Sequence, residues 1–293
     1  MAPTLIGEIG GSSSRWAYLA ADGSGTVLPV KGERMPGFNP VSGDAEAFTR
    51  AVDGLFRMHC PEAFHARHAY IYGAGCGAPD RRARMQAVLA PLFDRAVVHV
   101  ESDLAGAALG LCHGTPGLVL ILGTGMNAGY HDGRSLHRPM PSLGYILGDE
   151  GSGADIGRTL LQDAFYRRMP DDVLQLLFGA NGPSLEAVIA DIHSSTAPSR
   201  SLAAYTGLLL PHRDHPYVYA LVASRFHALA ELLKTFFTVE QRSGVCATGS
   251  VAWGFKDRLS EVLLDHGMTL RSVERDPLPG LVHHHRRMAG SEP

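Results

Sequence analysis

Two short clusters of glycine and hydroxyl residues, Gly10-Gly11-Ser12-Ser13 and Gly123-Thr124-Gly125, each follow a run of apolar residues. Glycine lets a backbone approach a ligand closely and show it bare N–H groups, which suits phosphate and sugar oxygens. Together the two clusters could hold a triphosphate with backbone amides and hydroxyls, without a lysine, because donors and a metal share the charge. Glu8 precedes the first cluster at a strand end and could hold Mg²⁺ directly or through water. A third stretch, Gly144-Tyr145-Ile146-Leu147-Gly148-Asp149-Glu150-Gly151-Ser152-Gly153, sets two adjacent carboxylates among glycines. So many glycines around a charged pair point to ligand handling.

The elements that must position these residues alternate along the chain. Thr4 to Ile9 is an expected strand, followed by the first glycine turn, a strand from Arg15 to Ala20, an Asp22-Gly23 turn and a strand from Thr26 to Val30. Leu118 to Leu122, five apolar residues fenced by Gly117 and Gly123, predicts a strand buried on both faces. After it the order repeats: glycine turn, strand from Asn127 to His131, Asp132-Gly133 turn. Two copies of one hairpin imply an internally duplicated fold. Between them lie a helix over 44–59 capped by Ser42 or Asp44, a strand at 69–72, a helix over 79–93, a strand at 96–100 and a helix over 104–111. Beyond Gly153 come a helix over 156–169 and a region to Arg225 broken by glycines and prolines. Val218, Leu221, Val222, Leu229, Leu232, Leu233 and Phe236 then recur at the spacing of a core-facing helix. A strand over 243–248, a helix running from Gly249 to His266, a strand over 268–273 and a short helix over 278–285 close the chain. The pattern predicts an α/β fold with mixed sheets.

Composition removes several classes. With 293 residues, 45% of them hydrophobic, the chain can build a sizeable core, and a net charge of −3 offers no basic stripe for nucleic acid. His283-His284-His285-Arg286-Arg287 reads as a solvated terminus. Cys60, Cys76, Cys112 and Cys246 lie far apart with no Cys-x-x-Cys pair, as reduced thiols of a cytoplasmic protein do. No apolar run approaches the ~20 residues of a membrane helix. Gly123 to Ala128 fits G-x-G-x-x-A, but Gly129, Asp132 and Gly133 break the helix that a dinucleotide site requires. A Walker lysine motif is absent as well.

The chain resembles the BadF/BadG/BcrA/BcrD-type ATPase and N-acetylglucosamine kinase family of the sugar kinase–chaperone–actin superfamily, nearly end to end. Glu8 to Trp16 matches its first phosphate hairpin, Gly37-Phe38-Asn39-Pro40 its Gly-x-Asn-Pro loop, and Tyr72 to Cys76 the strand end that follows. Glu101-Ser102-Asp103-Leu104 is similar to its connecting segment, Ile121 to Asn127 to its second hairpin, and Ser142 to Gly153 to its Gly-Asp-Glu-Gly-Ser-Gly signature. Gly249-Ser250-Val251-Ala252 resembles its adenosine loop and Pro279 to Val282 its closing helix. In this chain Glu8 stands where the family has aspartate, and Ser13 and Ser14 where it usually carries lysine and threonine.

The resemblance implies two ribonuclease-H-like, actin-like ATPase domains flanking a nucleotide cleft. They would span residues 1–113, completed by 277–293, and 114–276. It implies transfer of the γ-phosphate of MgATP to a hydroxyl of an amino sugar such as N-acetylglucosamine, by a cytoplasmic enzyme that could pair as a homodimer, with no nucleic-acid or membrane partner. Asp103 would be the general base, though as the residue before Leu104 it could equally be a helix N-cap. Gly10, Gly11, Ser12, Ser13, Gly123, Thr124 and Gly125 would hold phosphates, and Gly249 and Ser250 the adenosine. Asn39, Asn127, Gly144, Asp149 and Glu150 would hold the sugar, with Glu8 on the metal. Asn39 could instead make an Asx turn, and Asn127 could stay within its turn. Two other classes stay open: an ATPase activating a radical dehydratase or reductase, which needs cysteines placed for an iron–sulfur cluster, and a non-catalytic sugar-binding regulator.

Overall fold

The computed structural model describes residues 2–289. The chain divides into two compact units, one of residues up to Gly114 together with those from Asp276 on, the other Thr115–Arg275. The first holds β1 (Thr4–Ile9), β2 (Ser14–Leu19), β3 (Gly25–Leu28), α1 (Ala45–His59), β4 (His68–Gly73), α2 (Pro79–Leu89), β5 (Val97–Ser102), α3 (Asp103–Cys112) and a C-terminal helix (Leu278–Ala289). Its five-stranded sheet runs β3-β2-β1-β4-β5. β1 pairs antiparallel with β2 and parallel with β4.

Alternation along β1 explains why both faces of this sheet are covered. Leu5 and Ile9 join a core with Trp16, Phe56, Met85 and Phe93, while Ile6 packs with Tyr72, Leu278 and Leu281 on the other side. Successive strand side chains point to opposite faces, so one sequence run feeds two layers. The second layer is α3 crossing the C-terminal helix. There, a Cβ on Gly280 would lie 1.8 Å from the Gly110 carbonyl oxygen, so the crossing tolerates only glycine.

The second unit repeats the plan. It contains β6 (Gly117–Leu122), β7 (Met126–His131), β8 (Leu136–His137), α4 (Gly144–Leu147), α5 (Gly153–Phe165), α6 (Asp171–Phe178), α7 (Leu185–Ser194), α8 (Pro198–Thr206), α9 (Pro216–Phe236), β9 (Val245–Thr248), α10 (Ser250–Gly254), α11 (Lys256–Asp265) and β10 (Leu270–Glu274). The sheet runs β10-β9-β6-β7-β8, with β6 antiparallel to β7 and parallel to β9. β6 therefore occupies the place of β1, strand for strand. Leu118, Leu120 and Leu122 are fully buried with Phe226, Leu229 and Leu233 of α9, each contributing about 2 kcal/mol by removal from water.

Three local expectations change. The helix expected from Gly249 to His266 breaks into α10 and α11, because Gly254 is a poor helix former and Phe255 turns into the core. α5 starts three residues earlier than Ile156, since Ser152 caps it through a bond from Asp155 N–H. His283 to Arg287 is not a loose terminus but lies inside the C-terminal helix. His285 is buried, bonds Tyr72 Oη at 2.9 Å and stacks on Tyr70. Burial holds its imidazole down at about 4. No helix among the described residues is long and apolar enough to cross a membrane.

Candidate functional site

In the first unit, the strand end and the two segments after it are fastened together. Gly10 N–H donates to the Ser13 carbonyl at 2.9 Å and closes the first turn. Phe38 N–H reaches the Gly10 carbonyl at 3.0 Å, and Ser14 N–H the Met35 carbonyl at 3.1 Å. Ser14 Oγ donates to the Pro36 carbonyl at 2.7 Å. The Gly-x-Asn-Pro loop is thus docked on the glycine hairpin by main-chain bonds, which fixes where Asn39 stands. Asn39 Oδ1 accepts Val41 N–H at 2.9 Å, so this oxygen makes the Asx turn, and the side chain lies against Gly75. Gly11 has open space where a side chain would begin, so a ligand can reach its backbone.

β5 passes into α3 with no intervening loop, which settles the capping question. Ser102 is the N-cap, its Oγ accepting Ala105 N–H at 3.2 Å. Asp103 sits one residue further in, its Oδ1 accepting Leu104 N–H at 2.8 Å. The N-cap alternative for Asp103 is therefore corrected to Ser102. An acidic residue in the first turn is favoured by the helix dipole.

Glu8 faces Arg15 across the β1–β2 ladder. Burial is the main reason its carboxyl is pushed up to about 8; Asp276 and Asp103 add to the rise, and Arg15 opposes it. Arg15 Nη1 is already spent on Asp276 Oδ2 at 2.5 Å. Glu8 and Asp276 thus both lie within the influence of the Arg15 guanidinium. Asp276 was not singled out from the sequence. Its signal was an acidic residue before Pro277 at a helix start, where its Oδ1 accepts Leu278 N–H at 3.2 Å.

The second unit is wired differently. Its hairpin turn is closed by Gly123 N–H to the Gly125 carbonyl at 3.0 Å, with open space at Gly123. The start of α5 is tied to this turn: Gly153 N–H donates to the Gly123 carbonyl at 2.8 Å and Ala154 N–H to the Thr124 carbonyl at 3.0 Å. Asp149 is buried in a left-handed conformation, φ 63°, which aspartate tolerates better than most residues. Its carboxylate lies beside Gly125. Burial raises it to about 6, the bonded Met126 N–H opposes that rise, and Glu150 and Asp155 add to it. Asp149 therefore serves the hairpin from inside, whereas Glu150 and Asn127 are half-buried. Asn127 lies in β7 opposite Ile121, not in the turn.

The sequence reading missed the anchor of this glycine-rich segment. Asp155 is 1% exposed; its Oδ2 accepts Gly151 N–H at 2.9 Å and Arg225 Nε at 2.8 Å, and its Oδ1 accepts Arg158 Nη2 at 2.8 Å. Arg158 Nη1 also donates to the Tyr145 carbonyl at 2.7 Å. At the end of β9, Gly249 adopts φ 111° and a Cβ there would lie 2.3 Å from the Leu122 carbonyl, so the loop before Ser250 lies directly on β6. The preceding Thr248 is buried, and its hydroxyl has no partner among the described residues.

Among the described residues no three His, Cys, Asp or Glu side chains are grouped to hold a metal ion, and all four cysteines are buried and outside any disulfide. Mg²⁺ keeps several waters and binds through one or two carboxylates plus phosphate oxygens. The Glu8 carboxyl, in β1 beside the first glycine turn, is a group of the type that could hold such an ion.

No protein-family model matches the chain, and no curated protein matches it. Solved structures do. A presumptive N-acetylglucosamine kinase from Porphyromonas gingivalis superposes with a TM-score of 0.84 at 29% identity, over 97% of this chain and 99% of that one. A ROK family glucokinase from Streptomyces griseus, in complex with glucose and AMPPNP, gives 0.53 at 15% identity over 97% and 98%. The MamK double helical filament gives 0.54 at 13% identity over 99% and 100%. The chain has the actin-like ATPase fold shared by sugar kinases and MamK.

Proposed function

We propose that the protein is an ATP-dependent sugar kinase that transfers the γ-phosphoryl group of MgATP to a hydroxyl of an amino sugar such as N-acetylglucosamine. One observation carries this reading: Ser102 takes the helix cap, so Asp103 is a separate carboxylate in the first turn of α3, near Glu8 at the end of β1. The similarity to the Porphyromonas gingivalis structure along nearly the whole chain supports the choice of amino sugar.

Phosphoryl transfer to an alcohol has little covalent chemistry for the protein to perform, so positioning and charge stabilisation dominate. Asp103 accepts the proton of the attacking hydroxyl. Gly10, Gly11, Ser12 and Ser13 in the first unit and Gly123, Thr124 and Gly125 in the second offer amides and hydroxyls to phosphate oxygens. Glu8 would hold the Mg²⁺ that arrives with the nucleotide, an ion that would supply charge neutralisation to the phosphates. Gly249 and Ser250 approach the adenosine. Asn39, through its amide, with Asn127, Gly144 and Glu150, binds the sugar. Asp149, whose carboxylate lies beside Gly125 of the second hairpin, joins them as a sugar ligand.

The test is ADP release coupled to a reporter reaction, with MgATP and a panel of amino sugars, for the wild type beside Glu8→Asp. Sugar-dependent release by the wild type is the expected result and identifies the acceptor. Release by Glu8→Asp alone would turn the reading into a sugar-binding protein with a weakened metal site. Silence from both would remove the kinase reading.

A further inference from the structure

Gly144 to Gly148 is a short turn of helix between two glycines, with Leu143, Ile146 and Leu147 exposed and Tyr145 packed against the cluster of Ala154, Leu161, Val188 and Leu202. Its other tether is polar. Arg158, from the second turn of α5, uses one guanidinium nitrogen for the Tyr145 carbonyl at 2.7 Å and another for Asp155 at 2.8 Å. A charged donor to a carbonyl is stronger than a neutral one, and the planar fork reaches two acceptors at once. Asp155 in turn fixes the far end of the segment through Gly151 N–H. Arg225 also binds Asp155, at 2.8 Å, and among the described residues it makes no bond to the 144–148 turn.

We propose that Arg158, held by Asp155, is a positioning residue for the acceptor-binding segment Gly144–Glu150 and so sets the affinity for the sugar. The inference rests on the kinase reading, because it takes that segment as the part that meets the acceptor. Arg225 supplies an internal control: it shares the carboxylate but lacks the loop contact. The side chains of Arg158 and Arg225 are 34% and 25% exposed, so either can be replaced without opening the core.

The experiment measures N-acetylglucosamine binding by titration calorimetry in the presence of a non-hydrolysable ATP analogue, for the wild type, Arg158→Gln, Arg158→Lys and Arg225→Gln. Amide hydrogen exchange over residues 144–151 and melting temperature are read on the same proteins. Expected are a dissociation constant raised about tenfold in Arg158→Gln, the energy of one charge-assisted bond, with exchange of 144–151 accelerated and analogue affinity within about twofold. Arg158→Lys, which keeps a single charged donor, recovers part of the loss. Arg225→Gln should lower the melting temperature while changing sugar affinity less than about twofold. Unchanged exchange in Arg158→Gln, or faster exchange with unchanged sugar affinity, overturns the proposal alone. Equal sugar losses in Arg158→Gln and Arg225→Gln also overturn it, since a merely destabilised unit would explain both. A wild type that binds no amino sugar overturns both the kinase reading and the inference.

Discussion

The two units share a strand order but treat buried charge in opposite ways. In the first, burial together with Asp276 and Asp103 pushes Glu8 up to about 8 against Arg15, which itself bonds Asp276. In the second, one carboxylate, Asp155, receives two arginines and a main-chain N–H. A buried ion pair with its bonds satisfied holds structure in place, whereas surplus carboxylates at a strand end cost stability until a cation or proton arrives. Under the proposed function, the raised Glu8 lies in the unit assigned the proton acceptor and the metal, and the satisfied Asp155 in the unit whose glycine-rich segment it anchors.

Crossed substitutions give the largest effects. Asp103→Asn should lower turnover by roughly 10² to 10⁴ while leaving nucleotide affinity and melting temperature nearly unchanged, because it removes a proton acceptor and keeps the helix. Asp155→Asn should do the reverse. It leaves two guanidinium groups without their counter-charge and should cost about 3–5 kcal/mol, read by denaturant unfolding. If Asp103→Asn destabilised and Asp155→Asn spared stability, the contrast between the units would be wrong.

The pH dependence of stability sharpens the same contrast. Glu8 has a folded value near 8, above that of an unfolded glutamate, so the folded state binds more protons across that window. Stability contributed by the neutral carboxyl is present below the unfolded value and is lost as pH rises through about 8. Glu8→Gln, which stays neutral, should therefore flatten the decline in melting temperature between pH 6 and 8.5 in nucleotide-free protein. His285 has the opposite sign: its folded value near 4 is depressed, so stability falls as pH drops from the ordinary histidine value towards 4. An unaltered alkaline decline in Glu8→Gln would remove Glu8 as its source.

The duplicated hairpins were legible because glycine, hydroxyl and strand residues are local signals. Leu118 to Leu122 and Thr4 to Ile9 announce buried strands, and Asp22-Gly23 and Asp132-Gly133 announce turns, with no knowledge of the rest. The pairs that decide charge were not legible: Arg15 meets Asp276 across 261 positions, and Arg225 meets Asp155 across 70. The His283 to Arg287 run misled for the same reason. Its helix brings His285 against Tyr70 and Tyr72 of β4, and only tertiary packing shows that face to be apolar. The burial of Asp149 beside Gly125 was not legible either, because the surrounding glycines suggest an open loop.

Thr248 offers the smallest and most specific test. Its hydroxyl is buried without a partner among the described residues, one residue before the loop proposed for adenosine. An unsatisfied buried hydroxyl costs about 1–3 kcal/mol, and a valine of the same shape does not pay it. Thr248→Val should therefore be neutral or should raise the melting temperature slightly. A hydroxyl that serves the nucleotide would be missed only when nucleotide is bound. The decisive comparison is therefore the ATP dissociation constant of Thr248→Val against its unliganded stability. Weaker ATP binding in a protein no less stable would place Thr248 in the adenosine loop of the second unit. Unchanged binding would leave it as a strand residue whose unmet bond the surrounding core outweighs.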